Sequence, residues 1–265
     1  VCPISLVIHK RLLEGIPFDR RRPMSVAAFE QLCRTIEQTR LEPHQAVFGF
    51  CLSDEETDFL RLLPFLRAFG GGFTDEDGNV IFDSPDNRRA FEWLREFFST
   101  RRVVYAHIFE LRRSLANGTI AMIADGPWIK LHLEELTGRP FGEEFEVLLQ
   151  PGDERGISRS WNYNHALCIT AQSEKQRYAA KVIDALSADP EISTDYYKQV
   201  GHLPVNIDHD SGCIFDDHEF YLAYREQAKH STCVNSQNAL FEKAMAFCID
   251  AVRKILFDGV DIAAE

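Results

Sequence analysis

The chain's 265 residues exceed what one hydrophobic core usually organises, so two packed lobes are expected. Its 41 Asp and Glu against 29 Lys and Arg leave a net charge of −12, which disfavours nucleic acid as a partner, since phosphate contacts require a basic face. No stretch is apolar for long enough to cross a bilayer as a helix, and the start, "VCPISLVIHKRLL", reads as no signal peptide because it lacks a basic n-region, an h-region and a cleavage site.

Along the chain, Ser25 opens a helix over "VAAFEQLCRTIEQ", whose Val26, Phe29, Leu32, Cys33 and Ile36 fall on one stripe. The acidic run from Ser53 to Asp58 offers paired carboxylates, but an acidic first turn favoured by the helix dipole is the better account of it. "DFLRLLPFLRAF", Asp58 to Phe69, is an apolar helix stopped by Gly70 to Gly72. A short hairpin turning at Asp77-Gly78 follows, then a helix opened by Ser84-Pro85. The next helix, "IFELRRSLANG", closes at Gly118 and hands over to the strand "TIAMIAD". "EEFEVLLQPGD" reads as strand then turn, "ALCIT" as a short strand, and "SEKQRYAAKVIDALSADPE" as an amphipathic helix begun by Ser173. "HLPVN" is extended, and "DDHEFYLAYREQAKH" and "QNALFEKAMAFCIDAVRKILFDG" are the final helices. Strands alternating with helices predict an α/β architecture, with few and short strands for so many helices, so part of a sheet is expected to be missing.

Seven cysteines without a C-x-x-C pair speak against zinc and thioredoxin-type chemistry. Most read as small buried hydrophobes, and an odd, unframed set leans toward a reducing compartment; Cys213 and Cys233, flanking a helix, are candidates for a pair. His202, His209, His218 and His230 lack metal-ligand spacing. No phosphate-binding loop, Gly-x-Ser-x-Gly elbow or His-Glu-x-x-His helix occurs, so no catalytic residue, cofactor or metal is assigned.

The aromatic residues carry more. Trp93 stands at helical spacing with Phe97 and belongs to a core. Trp128 follows Gly126-Pro127 at the end of a strand, on a rigid corner. Trp161 lies in "SRSWNYNH", read as a polar loop between strands, with Asn162, Tyr163 and Asn164. Ring faces beside amides suit a sugar or a similar polar solute, because rings stack on C–H faces while amides bind hydroxyls. A half-buried anchor accounts equally well for Trp161 and less well for Trp128.

The order of these blocks resembles the extracellular solute-binding proteins of ABC importers, the maltose-binding-protein-like family 1. "LVIHKRLLEGI", "PMSVAAF", "FLRAFGGGFTDEDGNVIFDSPDNRRAFEWLREFF", "FELRRSLANGTIAMIADGPW", "LLQPGD", "SADPE" and "GHLPVN" follow one another as that family's blocks do, and "AMIADGPW" is similar to its signature A-M-x-x-x-G-P-W. The resemblance implies a periplasmic-binding-protein-like (type II) α/β fold, mostly the second lobe with a partial first lobe, and with the family's N-terminal third lacking. Residues 1–160 and 209–265 would form the second lobe, and 161–208 would cross into the first. It further implies cleft residues Trp128, Trp161, Asn162, Tyr163, Glu55, Glu56, Asn238 and Phe241, a carbohydrate solute, ABC permease subunits as partners, a monomer, and an extracytoplasmic place, periplasmic or as a lipoprotein. The family pattern is departed from at Val26, where Trp is usual, at His9, where Asn is usual, and at "SWNYNH", where paired glycines are common. With half the cleft missing, these residues alone are expected to bind solute weakly or not at all. The cysteines keep a second reading open, a cytoplasmic ligand-sensing domain of a transcriptional regulator on the same fold; an enzyme has no motif behind it.

Overall fold

Apolar runs and helical stripes alternate through the chain as strands β1 (Cys2–Pro3), β2 (Ser5–His9), β3 (Ala46–Cys51), β4 (Val103–Ala106), β5 (Ile120–Asp125), β6 (Phe145–Leu148), β7 (Ser160–Tyr163) and β8 (Ser231–Thr232). The helices are α1 (Val26–Thr39), α2 (Leu63–Ala68), α3 (Pro85–Thr100), α4 (Ile108–Ala116), α5 (Ile129–Thr137), α6 (Phe141–Glu144), α7 (Gln176–Ala188), α8 (Pro190–Val200), α9 (His218–Lys229) and α10 (Phe241–Arg253). The structure, a computed structural model, describes residues 2–19, 22–51, 60–75, 79–155, 157–204, 218–232 and 241–258.

Five strands form one mixed sheet in the order β4-β3-β5-β2-β6. β3 runs parallel to β4 and β5, while β2 runs antiparallel to β5 and β6. Every residue of β2, β3 and β5 is buried, as expected of strands covered on both faces, which can be apolar throughout. Strand alternation divides β2 between two cores. Leu6 and Ile8 join Phe29, Phe48, Phe65 and Leu94 on one face; Val7 joins Leu111, Leu133 and Tyr224 on the other. The predicted helix starts hold: the Ser25 hydroxyl accepts from the Ala28 N–H at 3.2 Å, and the Ser84 hydroxyl accepts from the Asn87 N–H at 3.2 Å. Trp93 stacks on Phe97 with ring centroids 5.0 Å apart, as its spacing implied.

A second, three-stranded sheet has the order β1-β7-β8. Ile4 separates β1 from β2, so the chain passes directly from the small sheet to the large one, and at that step the Ile4 N–H donates to the Trp161 carbonyl at 3.0 Å.

Three sequence expectations are corrected, and one helix was not foreseen. "SRSWNYNH" is not a polar loop: Ser160–Tyr163 is β7, antiparallel to β1 and parallel to β8. The reverse holds for "ALCIT", where residues 166–170 belong to no strand; apolar, β-branched residues make a strand only where a neighbour supplies the ladder. Ser173 does not open the following helix: its hydroxyl accepts from the Lys175 N–H at 3.2 Å, and α7 starts at Gln176. Helix α8 occupies Pro190–Val200, with Asp189 as its cap, accepting from the Glu191 and Ile192 N–H groups at 2.8 and 3.2 Å. The turn at Asp77-Gly78, the acidic run from Ser53 to Asp58, and Cys213 and Cys233 lie outside the described residues. Among those described, Cys2, Cys33, Cys51 and Cys248 are buried free thiols and Cys168 is exposed. No described helix is long and apolar enough to cross a membrane.

Candidate functional site

The corner after β5 is built around one carboxylate. Asp125 is completely buried, and its Oδ2 accepts from Arg112 Nε at 2.7 Å. Its Oδ1 accepts from Arg112 Nη2 and Arg61 Nη1, each at 3.2 Å, and from the Gly126 N–H at 2.8 Å. The same oxygen takes the indole N–H of Trp128 at 2.9 Å, and the Tyr224 hydroxyl donates to the Asp125 carbonyl at 3.1 Å. Burial works against the charge on Asp125, but Arg112 and Arg61 outweigh it and hold the carboxyl below the usual carboxylate range. Burial, then the Asp125 charge, pushes the Tyr224 phenol well up.

These bonds fix the ring of Trp128. Two glycines make room for it: a Cβ on Gly126 would lie 2.4 Å from the indole, and one on Gly201, where φ is 77°, would lie 2.6 Å from the Trp128 Cα. With its N–H engaged by Asp125, the half-buried indole has only its carbon edges and faces left to offer. Tyr163 meets it edge-on at 5.4 Å and His202 lies tilted against it at 5.5 Å, while Trp161 meets Tyr163 edge-on at 5.8 Å. His202 in turn packs on His165, ring centroids 4.1 Å apart, and His165 Nδ1 is 2.8 Å from the Tyr196 hydroxyl. Burial, followed by the proximity of His165, lowers the His202 pKa to about 4, so that imidazole is neutral at physiological pH.

Of the residues singled out from the sequence, Trp128, Trp161 and Tyr163 therefore form one aromatic group. Asn162 sits on the opposite side of β7, 8% exposed, with no hydrogen-bond donor to its Oδ1 among the described residues. Glu55, Glu56 and Asn238 lie outside the described residues; Phe241 opens α10, and its side chain is outside them too. Sequence reasoning missed His165, His202 and Tyr196. The available signal was Gly201, a left-handed helix stop placing the next residue back against the Gly-Pro-Trp corner. The described His, Cys, Asp and Glu side chains contain no group of three that could hold a metal ion.

A separate cavity of about 640 Å³ lies at the other end of the sheet, lined by His9, Lys10, Arg11, Gly118, Arg139 and Glu144 among others. Antiparallel pairing explains the separation: the start of β5 adjoins the end of β2, whereas Trp128 lies beyond the end of β5. This cavity carries charges of both signs and no exposed aromatic face.

The model of a family described as bacterial extracellular solute-binding protein matches residues 6–211. No curated protein matches the chain. Among solved structures, the sugar-binding protein MalE from Xanthomonas citri superposes with a TM-score of 0.83 at 18% identity, over 100% of this chain and 66% of that one. An ABC transporter solute-binding protein from Thermotoga lettingae, bound with alpha-D-tagatose, gives 0.79 at 18% identity, over 99% and 67%. Maltose-bound MalE3 from T. maritima gives 0.76 at 17% identity, over 99% and 68%. These likenesses establish a type II periplasmic-binding-protein fold, of which this chain spans about two thirds of the matched length.

Proposed function

The chain belongs to the bacterial extracellular solute-binding protein family, and from that premise we propose that it is the greater part of the solute receptor of an ABC-type importer, taking a carbohydrate against the rings around Trp128. The observation that carries this reading is the Trp128 corner: a half-buried indole whose N–H is held by Asp125 and whose ring is flanked by Tyr163 and His202. A ring fixed before the solute arrives loses little entropy on binding, and its face suits the C–H face of a sugar.

In this reading residues 1–160 and 209–265 make one lobe, and 161–208 cross into part of the other. The five-stranded sheet, which uses only residues between Ser5 and Leu148, supports the boundary. So does α7, which has an apolar stripe but buries none of its residues. Closure of the lobes over the solute would follow from tighter binding to the closed state. The working protein would be monomeric and extracytoplasmic, periplasmic or anchored as a lipoprotein, and would deliver solute to permease subunits without performing catalysis. The family match favours this receptor over a cytoplasmic regulator.

The test is tryptophan fluorescence and thermal shift with monosaccharides and malto-oligosaccharides at millimolar concentration. Binding weaker than micromolar is expected from these residues alone, and Trp128→Ala should abolish the response while leaving the circular dichroism unchanged. A response that survives Trp128→Ala places the solute elsewhere.

A further inference from the structure

Helix α2 packs against β7, and it brings Arg67 near Arg159, the residue immediately before that strand. Side chains alternate along β7: Ser160 and Asn162 are buried, whereas Arg159 is exposed and Trp161 and Tyr163 are half-buried. Arg159, Trp161 and Tyr163 therefore share the more open face, the one that reaches Trp128 through Tyr163.

That face holds donors for which no acceptor stands among the described residues. Arg67 Nε and Trp161 Nε1 are both buried, and neither has a hydrogen-bond partner among the described residues. Neither Arg67 nor Arg159 has an ion pair there, although the chain carries 41 acidic residues against 29 basic ones. Burial, and then the charge of Arg159, lowers the Arg67 pKa, so the two guanidiniums disfavour each other. A buried donor left without an acceptor is destabilising, and a desolvated charge without a counter-charge more so. A fold retains such an arrangement most readily where an anion with several acceptor oxygens completes it.

We propose that Arg67, Arg159 and the indole N–H of Trp161 form a subsite for an anionic group, phosphate or carboxylate, on the solute. The inference rests on the solute-binding reading above and narrows it: the preferred ligand is an acidic or phosphorylated sugar rather than a neutral one. At ~3.3 Å per residue, Arg159 and Tyr163 are about 13 Å apart along the strand, room for one or two sugar rings between the cationic end and Trp128. Guanidinium groups and an indole N–H only donate, matching an oxyanion that only accepts.

Melting temperature and tryptophan fluorescence are followed in a phosphate-free buffer of low ionic strength. The probes are inorganic phosphate, galacturonate, glucose 6-phosphate, and neutral galactose and glucose, with potassium chloride as the ionic-strength control. The anionic probes should raise the melting temperature where the chloride control does not, with the sugar anions exceeding inorganic phosphate. Arg159→Gln, an exposed change that leaves the fold intact, should weaken the anionic sugars about ten-fold and leave the neutral ones unchanged. Arg67→Met should raise the melting temperature without any anion present, because it removes a crowded cation. A lower melting temperature for Arg67→Met overturns the proposal, since Arg67 then has a structural partner. A response to neutral sugars larger than to acidic ones, untouched by Arg159→Gln, also overturns the subsite while the receptor function stands. An Arg159-dependent response to phosphate without any response to sugars keeps the subsite and refutes the carbohydrate reading.

Discussion

Replacing Asp125 with Asn tests the corner on which the candidate site is mounted. The carboxylate accepts from Arg112 through two nitrogens, from Arg61, from the Gly126 N–H and from the Trp128 indole, all without solvent exposure. An amide of the same shape retains one oxygen, turns the other position into a donor facing guanidinium groups, and leaves two buried cations without a counter-charge. Breaking a buried ion pair from one side costs about 3–5 kcal/mol, and here one carboxylate serves two arginines, which places the loss at the upper end of that range. For a chain of this size each kcal/mol moves the melting temperature by roughly 2–4 °C, so Asp125→Asn should melt on the order of 10 °C lower. Urea denaturation followed by both fluorescence and circular dichroism measures the difference. The pH dependence supplies a second check. The folded pKa of Asp125 is depressed, so its contribution is present above the unfolded carboxylate value of about 3.9 and is lost as pH falls through the lower, folded value. The variant should therefore lose less stability than the parent across that acid range. Adding Arg112→Met to Asp125→Asn should restore part of the loss by removing one orphaned cation. A single variant within about 0.5 kcal/mol of the parent at neutral pH would refute the argument that this carboxylate organises the corner.

His202 is held neutral by burial, with a pKa near 4, below its unfolded value, so protons favour the unfolded chain as pH falls from about 6.5 toward 4. His202→Leu should flatten that limb of the stability-versus-pH curve, and an unchanged curve would place the acid sensitivity in another group. Gly201→Ala should cost on the order of 2 kcal/mol in denaturant melts, because it sets a Cβ at positive φ and 2.6 Å from the Trp128 Cα; an unchanged midpoint would contradict the close approach.

The sequence made the helices legible where a capping side chain coincides with an apolar stripe, as at Ser25 and Ser84. It hid β3, "AVFGFC", because a short, continuously apolar run has no period that separates strand from buried helix. It hid α8 for a different reason: Asp189-Pro190-Glu191 is a readable helix start, but it follows α7 so closely that it reads as the end of that helix, which leaves Ile192 to Val200 unassigned. At the site, the Gly-Pro-Trp corner was visible as rigid chemistry in a short segment. The groups that hold it were not, since Arg61 is 64 residues from Asp125 and only folding brings them within 3.2 Å. The polar character of "SWNY" misled in a similar way. Ser160 is buried through its hydroxyl, which donates to the Ile4 carbonyl at 2.5 Å, a long-range bond that makes a polar residue acceptable inside a strand.

Helix α7 and the residues before it show the limit of local signals from the other side. Tyr178, Val182 and Leu186 repeat at the spacing of one helical face and would ordinarily mark a buried stripe, yet they are 69%, 56% and 39% exposed. Leu167, in the irregular segment just upstream, is 60% exposed, and that segment joins no sheet. Both departures have one physical origin. Periodicity records which face of an element is built to be covered, whereas burial records whether a covering element is packed there. A strand read from "ALCIT" and a buried face read from α7 each require a neighbour that the described residues do not provide, so both expectations fail together. Strands β5 and β6, read from the sequence and each paired with β2, satisfy the same kind of reading.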